Sequence, residues 1–161
     1  MGDMPQINFM ITKIRTAIFQ VYFRFSRPMT LGVRIIATNP ENKICLVRHT
    51  YVKGWHLPGG GVERGESIYD AAIKELREEV GLIVTHQDLR LLCVHANFTN
   101  FKGDHVALFH VDKWRSEPTN RPHEIAEWGW FSPDDLPDGT TRATCARIAE
   151  FVGGEGFAGE W

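Results

Sequence analysis

Ile7, Ile11, Ile14, Ile18, Val21 and Phe25 recur every three or four residues, the spacing of one face of an α-helix. Residues 7–25 therefore read as an amphipathic helix. Residues 31–38 then form a block rich in β-branched side chains that ends at Asn39-Pro40-Glu41-Asn42, a turn by composition. Residues 43–48 read as the returning strand of a hairpin. The segment Trp55-His56-Leu57-Pro58-Gly59-Gly60-Gly61 is extended and runs into a loop. Its triple glycine prevents regular structure and lets the backbone approach another group closely.

From Ser67 to Val80 the pattern turns helical, with Ile68, Ala72, Leu76 and Val80 at i, i+4 spacing. Ser67 is a suitable cap at its start, and Gly81 sits just past its end. Strands are expected over 89–99, 105–114 and 125–132, with Trp128 and Trp130 on one face of the last. A further helix is expected over 142–152, and the glycine-rich tail 153–161 reads as loose. Strands alternating with helices define an α/β fold.

Composition narrows the class. A chain of 161 residues with 43% hydrophobic and 24% charged side chains has the balance of one soluble globular domain. It excludes a disordered chain, a collagen-like repeat and a disulfide-stapled miniprotein. Cys45, Cys93 and Cys145 are far apart and form no CxxC, so they read as thiols in a reducing compartment. No apolar run approaches the roughly 18 residues of a membrane span, and no signal peptide is read. The expected location is the cytoplasm.

Charge adds a second feature. Residues 1–40 carry Lys13, Arg15, Arg24, Arg27 and Arg34 against Asp3 alone, although the whole chain has a formal net charge of −2. A basic arm on an acidic body points to an anionic contact or to the body itself. Three uses of the 7–25 helix stay open: packing on its own domain or a twin subunit in a homodimer, lying on an anionic membrane surface, or weak, unspecific nucleic-acid contact.

The chemistry lies between Gly59 and Leu82. Glu75, Glu78 and Glu79 fall within an arc of about 100° on one helix. Like charges so placed repel, and the arc borders the apolar stripe. Lys74 and Arg77 point elsewhere on the wheel. Oxygen ligands crowded in this way suit a hard divalent cation, Mg²⁺ or Mn²⁺. The preceding Leu57–Gly61 loop can offer a backbone carbonyl to the same ion, while its amides and the helix start favour phosphate. A metal beside a phosphate-friendly loop points to chemistry at phosphorus.

Gly60, Glu66, Lys74-Glu75-Leu76-Arg77-Glu78-Glu79-Val80-Gly81-Leu82 resembles the Nudix box, GX5EX7REUXEEXGU with U apolar. Lys74 stands where the family has arginine. Trp55-x-Leu57-Pro58-Gly59-Gly60 and Glu127-Trp128-x-Trp130-Phe131 are also Nudix-like, so the resemblance spans residues 30–152, between the basic arm (1–29) and the tail. It implies an α/β/α sandwich around a mixed sheet. It also implies hydrolysis of a nucleoside diphosphate linked to another moiety, using water and Mg²⁺ or Mn²⁺, with a small-molecule nucleotide as substrate.

By position, the resemblance makes Glu78 and Glu79 metal ligands, Glu75 a ligand or the base that activates water, and the Gly59 carbonyl a further ligand. Gly60, Glu66, Lys74 and Gly81 become structural members of the box. Lysine keeps the charge of the box arginine but cannot form its bidentate fork. Relatives often place one more acid beyond the box: Glu127 is the first choice and Glu124 the second, against a solvated acid at a strand end. Arg48 is a candidate phosphate contact or a surface ion pair. The markers of ADP-ribose, dinucleoside polyphosphate and NADH hydrolases are absent. A non-catalytic Nudix-like binding or sensor module is the alternative; such modules usually lose box carboxylates, and all are kept here.

Overall fold

A computed structural model describes residues 15–16, 18–19, 22, 26, 28–98, 102–119, 123–154 and 156–161. Residues 15, 16, 18, 19, 22 and 26 are helical with exposed side chains. The rest of the expected 7–25 helix lies outside the described residues. The domain runs β1 (Thr30–Ala37), β2 (Ile44–His49), β3 (Trp55–His56), α1 (Ile68–Val80), β4 (Leu82–Ile83), β5 (Arg90–Ala96), β6 (Asp104–Val111), β7 (Arg115–Ser116), β8 (Ile125–Phe131) and α2 (Arg142–Gly153).

β6 lies between β1, which runs parallel to it, and β5, which is antiparallel. A second sheet has the order β3-β2-β8, all antiparallel. β4 and β7 form a two-stranded ribbon. The expected hairpin of residues 31–48 is only partly formed. Its turn is tight, with Asn39 N–H donating to the Lys43 carbonyl at 3.0 Å and Asn42 at φ 58°. Past the single bridge Thr38–Ile44 the strands part, β1 to β6 and β2 to β8.

Alternation along the strands explains the layers. Val33, Ile35 and Ala37 of β1, Cys45 and Val47 of β2, and Ala107, Phe109 and Val111 of β6 pack with Ala72, Leu76 and Val80 of α1. Ile36, Ile44, Leu46 and Leu108 point to the other face, against Ile148 and Phe151 of α2. One helix therefore covers each face, an α/β/α arrangement with mixed pairing in its sheet. Each fully buried Ile or Leu contributes about 1.5–3 kcal/mol through removal from water.

Residues 159–161 run beside β5. Ala96 N–H donates to the Gly159 carbonyl and Trp161 N–H to the Ala96 carbonyl, both at 2.9 Å, so the segment extends the edge at β5. Arg147 of α2 holds it from below, donating to the Glu160 carbonyl at 2.6 Å and sitting 3.1 Å from Nδ1 of the buried His95. Among the described residues no helix is long and apolar enough to cross a membrane.

Candidate active site

The glycine loop is fixed by β1. Val33 N–H donates to the Gly60 carbonyl and Ile35 N–H to the Pro58 carbonyl, both at 2.9 Å, and Val62 N–H donates to the Leu31 carbonyl at 2.8 Å. Residues 58–62 thus run along β1 like a short added strand. In an extended segment successive carbonyls point to opposite sides. With Pro58 and Gly60 taken up by β1 amides, the Gly59 carbonyl points the other way. Arg34 Nη1 donates to it at 2.6 Å and to the Leu57 carbonyl at 3.0 Å. Gly59 has φ 142°, and a Cβ there would run into the Val33 carbonyl oxygen. Only glycine fits.

The carboxylates come from α1. Ser67 caps its first turn, its hydroxyl accepting from Asp70 N–H at 3.1 Å, and Gly81 ends it in the left-handed region at φ 69°. A Cβ on Gly81 would strike the Glu117 backbone, so this glycine both ends the helix and admits the β7 segment. Glu79 faces inward with its side chain 6% exposed. Its Oε2 accepts the Gly59 N–H at 2.9 Å, and its Oε1 lies 3.6 Å from His49 Nε2. Glu75 lies against the loop: a Cβ on Gly60 would come within 2.6 Å of its Oε1. Glu78 borders a cleft of about 590 Å³ together with Ile73, Arg77 and the 117–119 segment, and Thr119 Oγ1 donates to its backbone carbonyl at 2.8 Å.

Burial dominates the electrostatics. It pushes the Glu79 carboxyl up to about 8; the Gly59 N–H and the Arg34 charge pull it down, and Glu75 and Glu124 push it further up. His49 is lowered, first by burial and then by Arg34 and His56. At neutral pH the Glu79–His49 contact is therefore between a largely protonated acid and a neutral imidazole, not an ion pair. His49 Nδ1 is buried with no hydrogen-bond partner among the described residues.

Lys74, at the position of the box arginine, bonds to two acids of the preceding loop. Its Nζ lies 2.9 Å from Glu66 and 3.2 Å from Glu63, while Glu66 also accepts the Glu63 N–H at 2.9 Å. These contacts lower the Glu66 carboxyl, the Glu63 amide first and Lys74 second. The helix and the loop that leads into it are joined by one point charge instead of a planar fork.

The two acids beyond the box separate. Glu127 lies on β8 opposite Arg48 of β2 and accepts from Arg48 Nη2 at 2.7 Å; both side chains are about half exposed. The Arg48 guanidinium also sits 5.7 Å from the centre of the Trp55 ring. Glu124 instead raises Glu79, His49 and Tyr51, so its charge lies within reach of the buried carboxyl. No motif singles out Arg34 or His49. The signal for Arg34 is a charge within the apolar run Val33-Arg34-Ile35-Ile36; His49 has none beyond its place after Arg48.

Among the described residues no three His, Cys, Asp or Glu side chains already converge as ligands. Glu75 is turned to Gly60 and Glu79 to the Gly59 amide. The donor chemistry nonetheless suits a hard cation. Glu75 and Glu79 set carboxylate oxygens beside the loop, while Glu78 borders the 117–119 cleft, and burial with neighbouring carboxylates raises Glu79. A divalent ion would relieve that shortage of positive charge.

A family model for the NUDIX domain matches residues 28–150, and the chain belongs to the NUDIX family. An RNA pyrophosphohydrolase of Ruthia magnifica is 41% identical over 55 residues, 34% of this chain and 31% of that protein. The chain thus spans about a third of the first curated relatives it matches. The 8-oxo-dGTP diphosphatase of Escherichia coli K12 is 29% identical over 120 residues, 69% of this chain and 89% of that one. Among solved structures, a MutT NUDIX hydrolase from Burkholderia pseudomallei superposes with a TM-score of 0.62 at 28% identity, covering 74% of this chain and 94% of that one.

Proposed function

We propose that this chain hydrolyses a phosphoanhydride bond in a nucleoside diphosphate linked to another moiety, with Mg²⁺ or Mn²⁺ as cofactor. The observation that carries the reading is the position of Glu75 and Glu79 against the Gly59–Gly60 backbone. Glu78, Glu79 and the Gly59 carbonyl would hold the ion. When bound, it would supply charge neutralisation at the phosphoryl oxygens and a lowered pKa for attacking water.

The chain's own groups do the rest. Glu75 lies at the loop surface, where a carboxylate can take a proton from water. Lys74 keeps the loop in register with α1 through Glu66. Glu124 completes the acidic set, supported by its effect on Glu79. Glu127 serves chiefly to pair Arg48, supported by their 2.7 Å contact.

The test is hydrolysis of a panel of nucleoside triphosphates, ADP-ribose, nucleotide sugars, NADH and dinucleoside polyphosphates, with and without Mg²⁺ or Mn²⁺. RNA and 8-oxo-dGTP belong in it because the relatives' names carry them. Metal-dependent turnover that Glu78→Gln and Glu79→Gln lose is the expected result. Nucleotide binding without turnover at any metal would move the function to that of a sensor.

A further inference from the structure

Arg34 stands in the middle of β1, between the buried Val33 and Ile35. A cation in such a strand gives up hydration and persists only where it is well bonded. Its Nη1 directs its two protons at the carbonyls of Leu57 and Gly59. The carbonyls of Pro58 and Gly60, alternating with these, go to the backbone amides of Ile35 and Val33. One strand therefore holds both sets: its backbone takes one, and its single charged side chain takes the other. From the opposite side the Gly59 N–H is held by Glu79. The Gly59 residue is thus clamped between β1 and α1, its carbonyl by Arg34 and its amide by Glu79.

We propose that Arg34 is a positioning residue that aims the Gly59 carbonyl. The inference rests on the reading of that carbonyl as a metal ligand. The backbone bonds on either side set the plane of this peptide, and Arg34 adds the one side-chain bond to the carbonyl oxygen itself. Hydrogen bonds from a charged donor are about twice as strong as neutral ones, and this one comes from a side chain itself immobilised in a sheet. Lys74 joins the loop to α1 through Glu66; Arg34 joins the loop to the sheet.

Arg34→Met and Arg34→Lys test this through two independent readouts. The first is hydrogen exchange of the Gly59 amide in the metal-free protein. The second is kcat and KM on whichever panel nucleotide the wild type turns over fastest. In Arg34→Met, exchange at Gly59 should rise about tenfold or more above that of the β6 amides, while kcat falls about 10–100-fold and KM stays within about threefold. Arg34→Lys, which keeps donors on a shorter reach, should recover part of both, and it serves alone if the Met variant does not fold.

Unchanged exchange at Gly59 would make Arg34 a counter-charge only and overturn the inference. A raised KM at constant kcat would make it a substrate contact and overturn the inference equally. Faster exchange with unaltered kcat would also sink it, since the carbonyl would then need no aiming. If the wild type shows no turnover, the functional reading fails, and the exchange arm alone decides whether the clamp exists.

Discussion

Glu79 Oε2 accepts the backbone N–H of Gly59, twenty residues earlier, at 2.9 Å in a buried setting. Glutamine at position 79 keeps an oxygen for that N–H and removes the charge. Because the Glu79 carboxyl is already largely protonated at pH 7, the metal-free Glu79→Gln protein should unfold within about 1 kcal/mol of wild type. The rise in Tm on adding Mn²⁺ should disappear. Thermal melts with and without the ion check both halves. A strongly destabilised metal-free variant would contradict the protonated state.

The same carboxyl sets a pH dependence. Its folded pKa of about 8 lies above the ordinary value of about 4.3 for the unfolded chain. Between those values the folded state holds a proton that the unfolded state releases, so the Glu79 contribution to metal-free stability declines as pH rises from about 4.5 to about 8. The loss is at most about 5 kcal/mol. Histidines act oppositely at low pH, since His49, His56, His95 and His110 are all lowered. The difference between wild type and Glu79→Gln in urea unfolding at several pH values isolates Glu79. Wild type should lose ground steadily across the window; a flat difference would refute the raised value.

Gly59→Ala and Gly60→Ala should fail differently. At 59 the added methyl meets the Val33 backbone, which cannot yield, at a left-handed φ of 142°. Loss of about 3 kcal/mol or more is expected, with a poorly folded product. At 60 the methyl meets the movable end of Glu75. That variant should keep its fold within about 1–2 kcal/mol yet lose activity about 100-fold through displacement of the carboxylate. Circular dichroism melts alongside turnover separate the two.

Glu124→Gln and Glu127→Gln compare the two outer acids. Glu124→Gln should lower kcat about tenfold or more, while Glu127→Gln, removed from an exposed pair, should alter kcat less than about threefold. Reversal of that order would restore Glu127 to the site. Steady-state kinetics on both variants decide it.

Much of this is legible in the chain. The i, i+4 apolar stripe and the Ser67 and Gly81 caps define α1 closely, because short-range periodicity and capping need no partner. The crowding of Glu75, Glu78 and Glu79 is readable for the same reason. The parallel pairing of β1 with β6 is not, since it joins residues 74 apart with no local signal. The 82–83 and 115–116 ribbon is too short to show a period. Arg34 looks like one charge among the basic residues of the first forty, and only the loop folding back along β1 gives it partners. The bonds of Gly159 and Trp161 to Ala96 join residues far apart in the chain, again with no local signal.

The proposed function requires the α1 carboxylates to hold a divalent ion against the Gly59 carbonyl. Titration of the protein with Mn²⁺, followed by the electron paramagnetic resonance of the free ion, tests this without any knowledge of the substrate. Wild type should bind the ion, and folded Glu78→Gln and Glu79→Gln should each bind it at least about tenfold more weakly. Equal Mn²⁺ affinity in wild type and both variants would contradict the proposed metal site.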